Sequence, residues 1–294
     1  MTSDALKQAQ AQVRELIEAA RKGAIIPVRL AGQLEEIDKL LDAADAPAPA
    51  ASASGGEVTD KAALMKEQAY FISHAVHELR TPMTSIRGYA DMLVNPAMGT
   101  LTDMQKGFME TIRTNAGRMN GLLTDVSDIA KLRGGTLKVN EKMDMYKNIA
   151  MMVEKAMEPL VAQTERTLTF ETPSGLPILN TDGELLAKAI GKLTENALRY
   201  NDKTPGTVTV KARGEAGKLI VDVVDDGIGI TPEDKARLGE LYFRSENELV
   251  RTYKGSGIGI PVAYGIIALL GGTVSVQSEV GTGTTFTVTM PGMG

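Results

Sequence analysis

The sequence predicts an α-helical hairpin followed by a mixed α/β sandwich domain. Three observations carry this prediction. Between 60 and 134, apolar residues recur three and four apart on two long segments, and Asn95-Pro96 and Gly99 break the pattern between them. From 136 to 292, alternating runs such as TVTVKAR interleave with longer helical patterns and glycine turns. The length of 294 residues, with 43% hydrophobic and 23% charged residues, supplies enough apolar surface for about two packed domains.

The first region, 1–45, carries Leu6, Val13, Leu16 and Ile17, then Leu30, Leu34, Ile37, Leu40 and Leu41. These steps fit two amphipathic helices, separated by the stretch from Gly23 to Pro27. So small a helical pair buries little by itself, so it should pack on a second copy or on a partner. Dimerisation and input both remain open for it. The region 46–59 contains APAPAASASGG, a composition that favours a flexible linker.

The first helix of the hairpin is expected over 60–94. Its apolar stripe comprises Leu64, Phe71, Ile72, Val76, Leu79, Met83, Ile86, Tyr89, Ala90 and Leu93. The second starts near Thr102 as N-cap and ends before Gly134-Gly135, with Phe108, Ile112, Met119, Leu122, Leu123, Val126 and Ile129 on one side. Stripes this wide should be buried by dimerisation into a four-helix bundle. In the α/β region, 136–292, strands are expected at 207–213 and 219–224, joined by a Gly-Lys turn. Helices are expected at 183–200 and 258–270, and a closing hairpin at 273–277 and 284–290 around GTG.

Composition narrows the chemistry. There is no cysteine, which excludes disulfides, thiolate metal sites and cysteine nucleophiles. A net charge of −5 argues against a broad basic grip on nucleic acid or anionic lipid. No apolar run approaches the ~20 residues of a membrane-spanning helix, and the N-terminus lacks the layout of a signal peptide. The expectation is a cytoplasmic protein without a membrane span, whose input arrives from the cytosol or a partner chain.

The two histidines both fall in FISHAVHELRTPMTSI, 71–86. On a helix, Ser73, His77, Thr81 and Thr84 share one stripe, with His74 at its edge, while Ile72, Val76, Leu79 and Met83 point elsewhere. A neutral imidazole is a good nucleophile toward phosphorus, and a neighbouring carboxylate, Glu78, can orient its ring and stabilise the charge that develops. Thr81, one turn on, can hold a water. Pro82 removes a backbone donor and should kink the helix. Downstream, a strand runs into DDGIGI at 225–230. KGSGIGI at 254–260 then opens a helix, where glycines permit close approach to phosphates and the helix N-terminus favours anions. GTGTTF at 281–286 precedes the last strand.

The string from His77 through Glu78, Leu79, Arg80 and Thr81 to Pro82 resembles the phosphoacceptor box of sensor histidine kinases. By that resemblance His77 takes the acceptor position. His74 falls where the family has a small or polar residue, and Val76 replaces the common serine. The glycine segments, together with GKLTENALRYN at 191–201, resemble the Bergerat-type ATPase domain shared by histidine kinases, type II topoisomerases, heat-shock chaperones and mismatch-repair proteins.

The resemblance implies ATP and Mg²⁺ as cofactors. It implies that Asn196 is the Mg²⁺ ligand, that Arg199 stands near the phosphates and that Tyr200 borders the nucleotide. Asp225 would accept from the adenine amino group, Gly227 and Gly229 would form the turn beneath the base, and Gly255, Gly257 and Gly259 the second glycine box. Thr285 is expected in the third. The segment 231–256 corresponds to the lid, with Tyr242, Phe243 and Arg244 ending a phenylalanine box whose upstream phenylalanine is replaced by Gly239. Lys192 stands where kinases often have asparagine and the hydrolysing relatives a glutamate base.

The resemblance implies a homodimeric kinase that phosphorylates His77 and passes the phosphoryl group to an aspartate of a separate response regulator, with dephosphorylation of that regulator aided by Thr81. An ATP hydrolase driving dimer closure and a kinase-degenerate signalling adaptor are the two other readings. Lysine at 192 cannot serve as a carboxylate base, which argues against the first, and the intact glycine boxes argue against the second.

Overall fold

The computed structural model describes residues 57–253 and 255–293, and these fall into two compact units divided after Thr136. The helices and linker expected within 1–56 lie outside the described residues.

The first unit is a hairpin of α1 (Glu57–Val94) and α2 (Asp103–Arg133), joined through a short 3₁₀ turn at Pro96–Met98. Asn95 caps that turn by accepting from Ala97 N at 3.0 Å. At the start of α2 a reciprocal capping box forms. Thr102 Oγ1 accepts from Gln105 N at 3.3 Å, and Gln105 Oε1 accepts from Thr102 N at 2.9 Å. Gly134 closes α2 where a Cβ would lie 2.6 Å from the Ala69 side chain, so the end of α2 rests against α1.

Val76, Leu79, Met83, Ala116 and Leu123 form the hairpin core, with Ile72, Met119 and Val126 packed around it. Arg80 Nη2 donates to Thr124 Oγ1 at 3.3 Å across the two helices. Part of the expected stripes, near the turn end of the hairpin, is not covered: Tyr89 is 68% exposed and Phe108 59%, and Ile86, Leu93 and Ile112 are also exposed. A single hairpin has only one inner face, and it is already filled.

The second unit is a five-stranded sheet with helices on one face. Its elements are β1 (Lys142–Asp144), α3 (Tyr146–Ala162), β2 (Arg166–Glu171), β3 (Leu179–Thr181), α4 (Gly183–Arg199), β4 (Gly206–Glu215) and β5 (Lys218–Asp225). They continue as α5 (Pro232–Ala236), α6 (Glu248–Thr252), α7 (Gly259–Leu269), β6 (Thr273–Glu279) and β7 (Gly283–Pro291). The strand order is β2-β4-β5-β7-β6; β2 and β4 run parallel and the other neighbours antiparallel, while β1 and β3 pair apart from this sheet.

Strand alternation puts Val208, Val210, Leu219, Val221, Val223, Phe286, Val288 and Met290 on the covered face. There they meet Ile149 and Val153 of α3, Leu186, Ile190 and Leu193 of α4, and Val262, Ile266 and Ile267 of α7, all buried. Burial of this many aliphatic side chains at about 25 cal/mol per Å² is the main force holding helices to sheet.

The β4–β5 turn differs from expectation by one residue. It is Ala216-Gly217, both with positive φ (48° and 73°), and Glu215 pairs with Lys218. A two-residue turn of this hand requires positive φ at both central positions, so Gly217 takes the second place and Ala216 the first, rather than Gly217 leading Lys218.

Candidate functional site

On α1, His77 and Thr81 are exposed and Glu78 is half-buried, while Val76 and Leu79 on either side of this run are buried. The helical period thus holds the imidazole at the surface by fixing its neighbours inside. His74, one turn earlier, is exposed too. The helix continues without a break through Pro82, which withdraws the donor that the Glu78 carbonyl would otherwise meet. Around it, three hydroxyls turn back onto carbonyls four residues earlier: Thr81 Oγ1 onto His77 O (3.4 Å), Thr84 Oγ1 onto Arg80 O (2.9 Å) and Ser85 Oγ onto Thr81 O (3.2 Å). Thr81 therefore has a long backbone contact, and its oxygen can still accept.

In the α/β unit, β5 ends at Asp225, whose Oδ1 accepts from Gly227 N at 2.9 Å and Thr284 N at 3.2 Å. Both bonds fall on one oxygen, leaving Oδ2 for an incoming donor. Burial pushes the Asp225 carboxyl up to about 6 despite these two donors. Its neighbour Asp226 shifts the other way. Burial opposes its charge, but Thr207 N at 2.8 Å and the Asn201 amide at 2.6 Å outweigh that and hold it below the ordinary range. Two adjacent carboxylates thus separate into one whose outer oxygen awaits a donor and one tied into the fold. Asn201, fully buried, also donates to Thr207 O at 3.3 Å and accepts from Lys203 N at 3.0 Å.

The glycines around Asp225 are required by close approach. A Cβ on Gly227 would lie 2.5 Å from Tyr200 O, and one on Gly229, whose φ is +69°, would lie 2.0 Å from Glu279 O. Tyr200 follows α4 directly, and its ring meets that of Tyr253 edge-on at 5.6 Å. Gly255 faces the Tyr200 hydroxyl, 3.3 Å from where its Cβ would stand.

Gly257, at φ +72°, lies beneath the backbone of Tyr242 and Phe243. The segment above is pinned by Arg244, whose Nη2 donates to Val250 O (2.9 Å) and Tyr253 O (2.5 Å), and by the Arg237 guanidinium 4.1 Å over the Phe243 ring. Tyr242 itself holds a φ of 63°. Gly259 opens α7, and the Lys192 Cδ lies 3.8 Å from where its Cβ would be.

Two residues sit otherwise than expected. Arg199 is held by Glu195, its Nε and Nη2 donating to Oε1 at 2.9 and 2.8 Å, because the two stand one helical turn apart on α4. Thr285 faces the opposite side of the sheet from Thr284. The period of two that buries Phe286, Val288 and Met290 also turns Thr284 inward, where its N–H reaches Asp225. Thr284 Oγ1 further meets Ser278 Oγ at 2.8 Å, and Ser278 accepts from Ile230 N at 2.8 Å. Thr284, Ser278, Asn201 and Asp226 were not among the sequence candidates, although the alternation around Phe286 contains the signal for Thr284.

This cradle fits a nucleotide. It offers an acceptor oxygen, glycine walls without side chains and a helix N-terminus. Among the described residues there is no cluster of three or more His, Asp or Glu side chains able to hold a metal. A Mg²⁺ held by one amide oxygen, such as that of the half-buried Asn196, and otherwise by phosphates and water fits that donor set. No helix among the described residues is long and apolar enough to cross a membrane.

Comparison with known proteins agrees with this geometry. The family described as "His Kinase A (phospho-acceptor) domain" matches residues 67–135, and "Histidine kinase-, DNA gyrase B-, and HSP90-like ATPase" matches residues 181–293. Histidine protein kinase DivJ of Caulobacter vibrioides is 31% identical over 238 residues, 79% of this chain and 38% of that protein. The circadian input-output histidine kinase CikA of Synechococcus elongatus is 26% identical over 260 residues, 88% of this chain and 32% of that protein. The chain spans only about a third of the length of such relatives.

Among solved structures, full-length ShkA in complex with AMPPNP superposes with a TM-score of 0.61 at 24% identity, over 75% of this chain and 45% of that one. Acinetobacter baumannii histidine kinase AdeS gives 0.53 at 20%, over 74% and 98%. These likenesses establish the fold.

Proposed function

The chain belongs to the histidine kinases, carrying their phospho-acceptor domain ahead of their ATPase domain, and from that premise we propose that it phosphorylates its own His77 from Mg-ATP and hands the phosphoryl group to an aspartate of a response regulator. Bound ATP supplies the γ-phosphoryl group, and Mg²⁺ offsets its charge. The His77 imidazole attacks phosphorus through a ring nitrogen as the bond to ADP breaks, and Glu78 steadies the proton on the other nitrogen. Asp225 selects the base by accepting from its amino group, and Tyr200 borders it. Asn196 would give an amide oxygen to the metal. For Arg199 to face the phosphates, its pair with Glu195 must open. The Thr81 hydroxyl, with an accepting lone pair, would orient a water against the phosphorylated regulator.

We read 60–134 as the dimerisation and phosphotransfer domain and 136–292 as the catalytic domain. A second copy covers the exposed apolar side of the hairpin, 46–59 acts as a linker, and 1–45 as a dimerisation or input segment.

The observation that supports this most is an exposed histidine inside a complete acceptor box, on a helix whose opposite side is packed. Incubation with γ-labelled ATP should give an acid-labile, base-stable phosphoprotein. His77→Gln should abolish the label while ATP titration is unchanged. Label that survives in His77→Gln and vanishes in His74→Gln would move the acceptor.

A further inference from the structure

Lys192 is on α4, one turn before Asn196, and its stem reaches the first residue of α7. The N-cap residue of α7, Ile258, provides no side-chain cap; its own N–H meets Ser256 Oγ at 3.4 Å and Pro261 has no N–H, so Gly259 and Ile260 are the first-turn amides that can face an anion. Arg199, the cation expected near the phosphates, stands two turns further along α4 beside Glu195. Lys192 is the α4 cation whose stem lies beside the glycine-box end of α7. We infer that Lys192 is a phosphate-binding residue, its ammonium contacting the terminal phosphates of the nucleotide and supplying part of the positive charge that kinase sites otherwise draw from Mg²⁺. This inference rests on the nucleotide reading above and deepens it.

The physical grounds are position and charge type. An ammonium on a flexible stem is a compact charge suited to phosphate oxygens, and here its stem already lies against the helix whose N-terminus faces the same anion. One turn from the metal-ligand candidate, a cation also repels Mg²⁺ in the empty site. The two charges thus act as partial substitutes rather than as a sum. Affinity for ATP should then depend less on Mg²⁺ than in a site with a neutral residue at this position.

The test is titration of ATP and of adenosine into the full chain, in EDTA and in Mg²⁺, for the natural protein, Lys192→Met and Lys192→Arg. In EDTA, Lys192→Met should weaken ATP about tenfold or more, the range of one charge-assisted contact. The loss should be smaller in Mg²⁺, adenosine affinity should not change, and Lys192→Arg should recover most of the ATP affinity. Unchanged ATP affinity of Lys192→Met in EDTA would overturn the assignment. So would an equal loss for adenosine, which marks a damaged fold rather than a lost phosphate contact. If the natural protein binds adenosine but gains nothing from the phosphates, Lys192 is excluded while the base site stands. If it binds neither ligand, the nucleotide reading itself fails and the assignment with it.

Discussion

At Asp225 a single carboxylate carries a cost in stability and, on our reading, a gain in recognition. Its ordinary value of 3.8 is raised to about 6 by burial, a difference worth about 3 kcal/mol between its charge states. Because the folded value exceeds the unfolded one, the stabilising contribution belongs to the protonated form. It is present in full below 3.8 and is lost as pH rises through about 6. Asp225→Asn can keep both backbone donors on its Oδ1 and would turn an amide donor outward. The variant should unfold at higher temperature than the natural protein at pH 8, with the gap closing as pH falls below about 6. Its ATP affinity should drop about tenfold or more, since a donor then faces the adenine amino group. ATP affinity of the natural protein should itself fall as pH is lowered through that range. Thermal unfolding and nucleotide titration across pH read both effects; an unchanged nucleotide titration would remove Asp225 from the site.

At the scale of elements, the 240–253 segment, expected from the resemblance to act as a lid, rests on one glycine. Gly257 combines a positive φ with backbone 2.6 Å from the position of its missing Cβ, that of the Tyr242 carbonyl carbon. Gly257→Ala should cost at least about 1 kcal/mol locally and push the 240–253 segment away from α7, breaking the line from Arg244 to Tyr253. Amide exchange should quicken across that segment while β4, β5 and β7 keep their protection. Equal protection throughout would show that the lid does not rest on this contact.

Element ends were legible where backbone chemistry dictates residue type. Thr102 announces α2 because its first amides need an acceptor, and Gly134 ends it because no side chain fits against Ala69. The stretch 137–182 gave no named element, although β1, α3, β2 and β3 lie there. α3 begins on Met145 without a capping side chain and contains Pro159, and β1 and β3 are three residues each, so the usual local signals are missing.

At the scale of the whole molecule, the hairpin leaves an apolar side open that includes Tyr89, Met92, Met104 and Phe108. A surface of this kind is costly in water and favours a second copy. Replacing Phe108 and Ile112 together by aspartate should convert the chain from dimer to monomer in sedimentation velocity, with nucleotide titration unaffected. A dimer that survives would place its interface elsewhere, for instance in 1–45.

The site was legible in proportion to how local its determinants are. The acceptor box and the Asp225 and glycine turns are contiguous strings. The pairing of Arg199 with Glu195 and the inward turn of Thr284 depend on competition between neighbours and on strand phase, which a motif does not encode.

The edge-on contact of Tyr200 with Tyr253 joins the end of α4 to the end of the lid segment. The chain contains no tryptophan. A single indole introduced as Tyr253→Trp would therefore be the sole emitter of its kind, lying against one phenol ring. Its fluorescence would rise or shift whenever the lid leaves that ring, giving an optical record of lid position in real time without any attached dye.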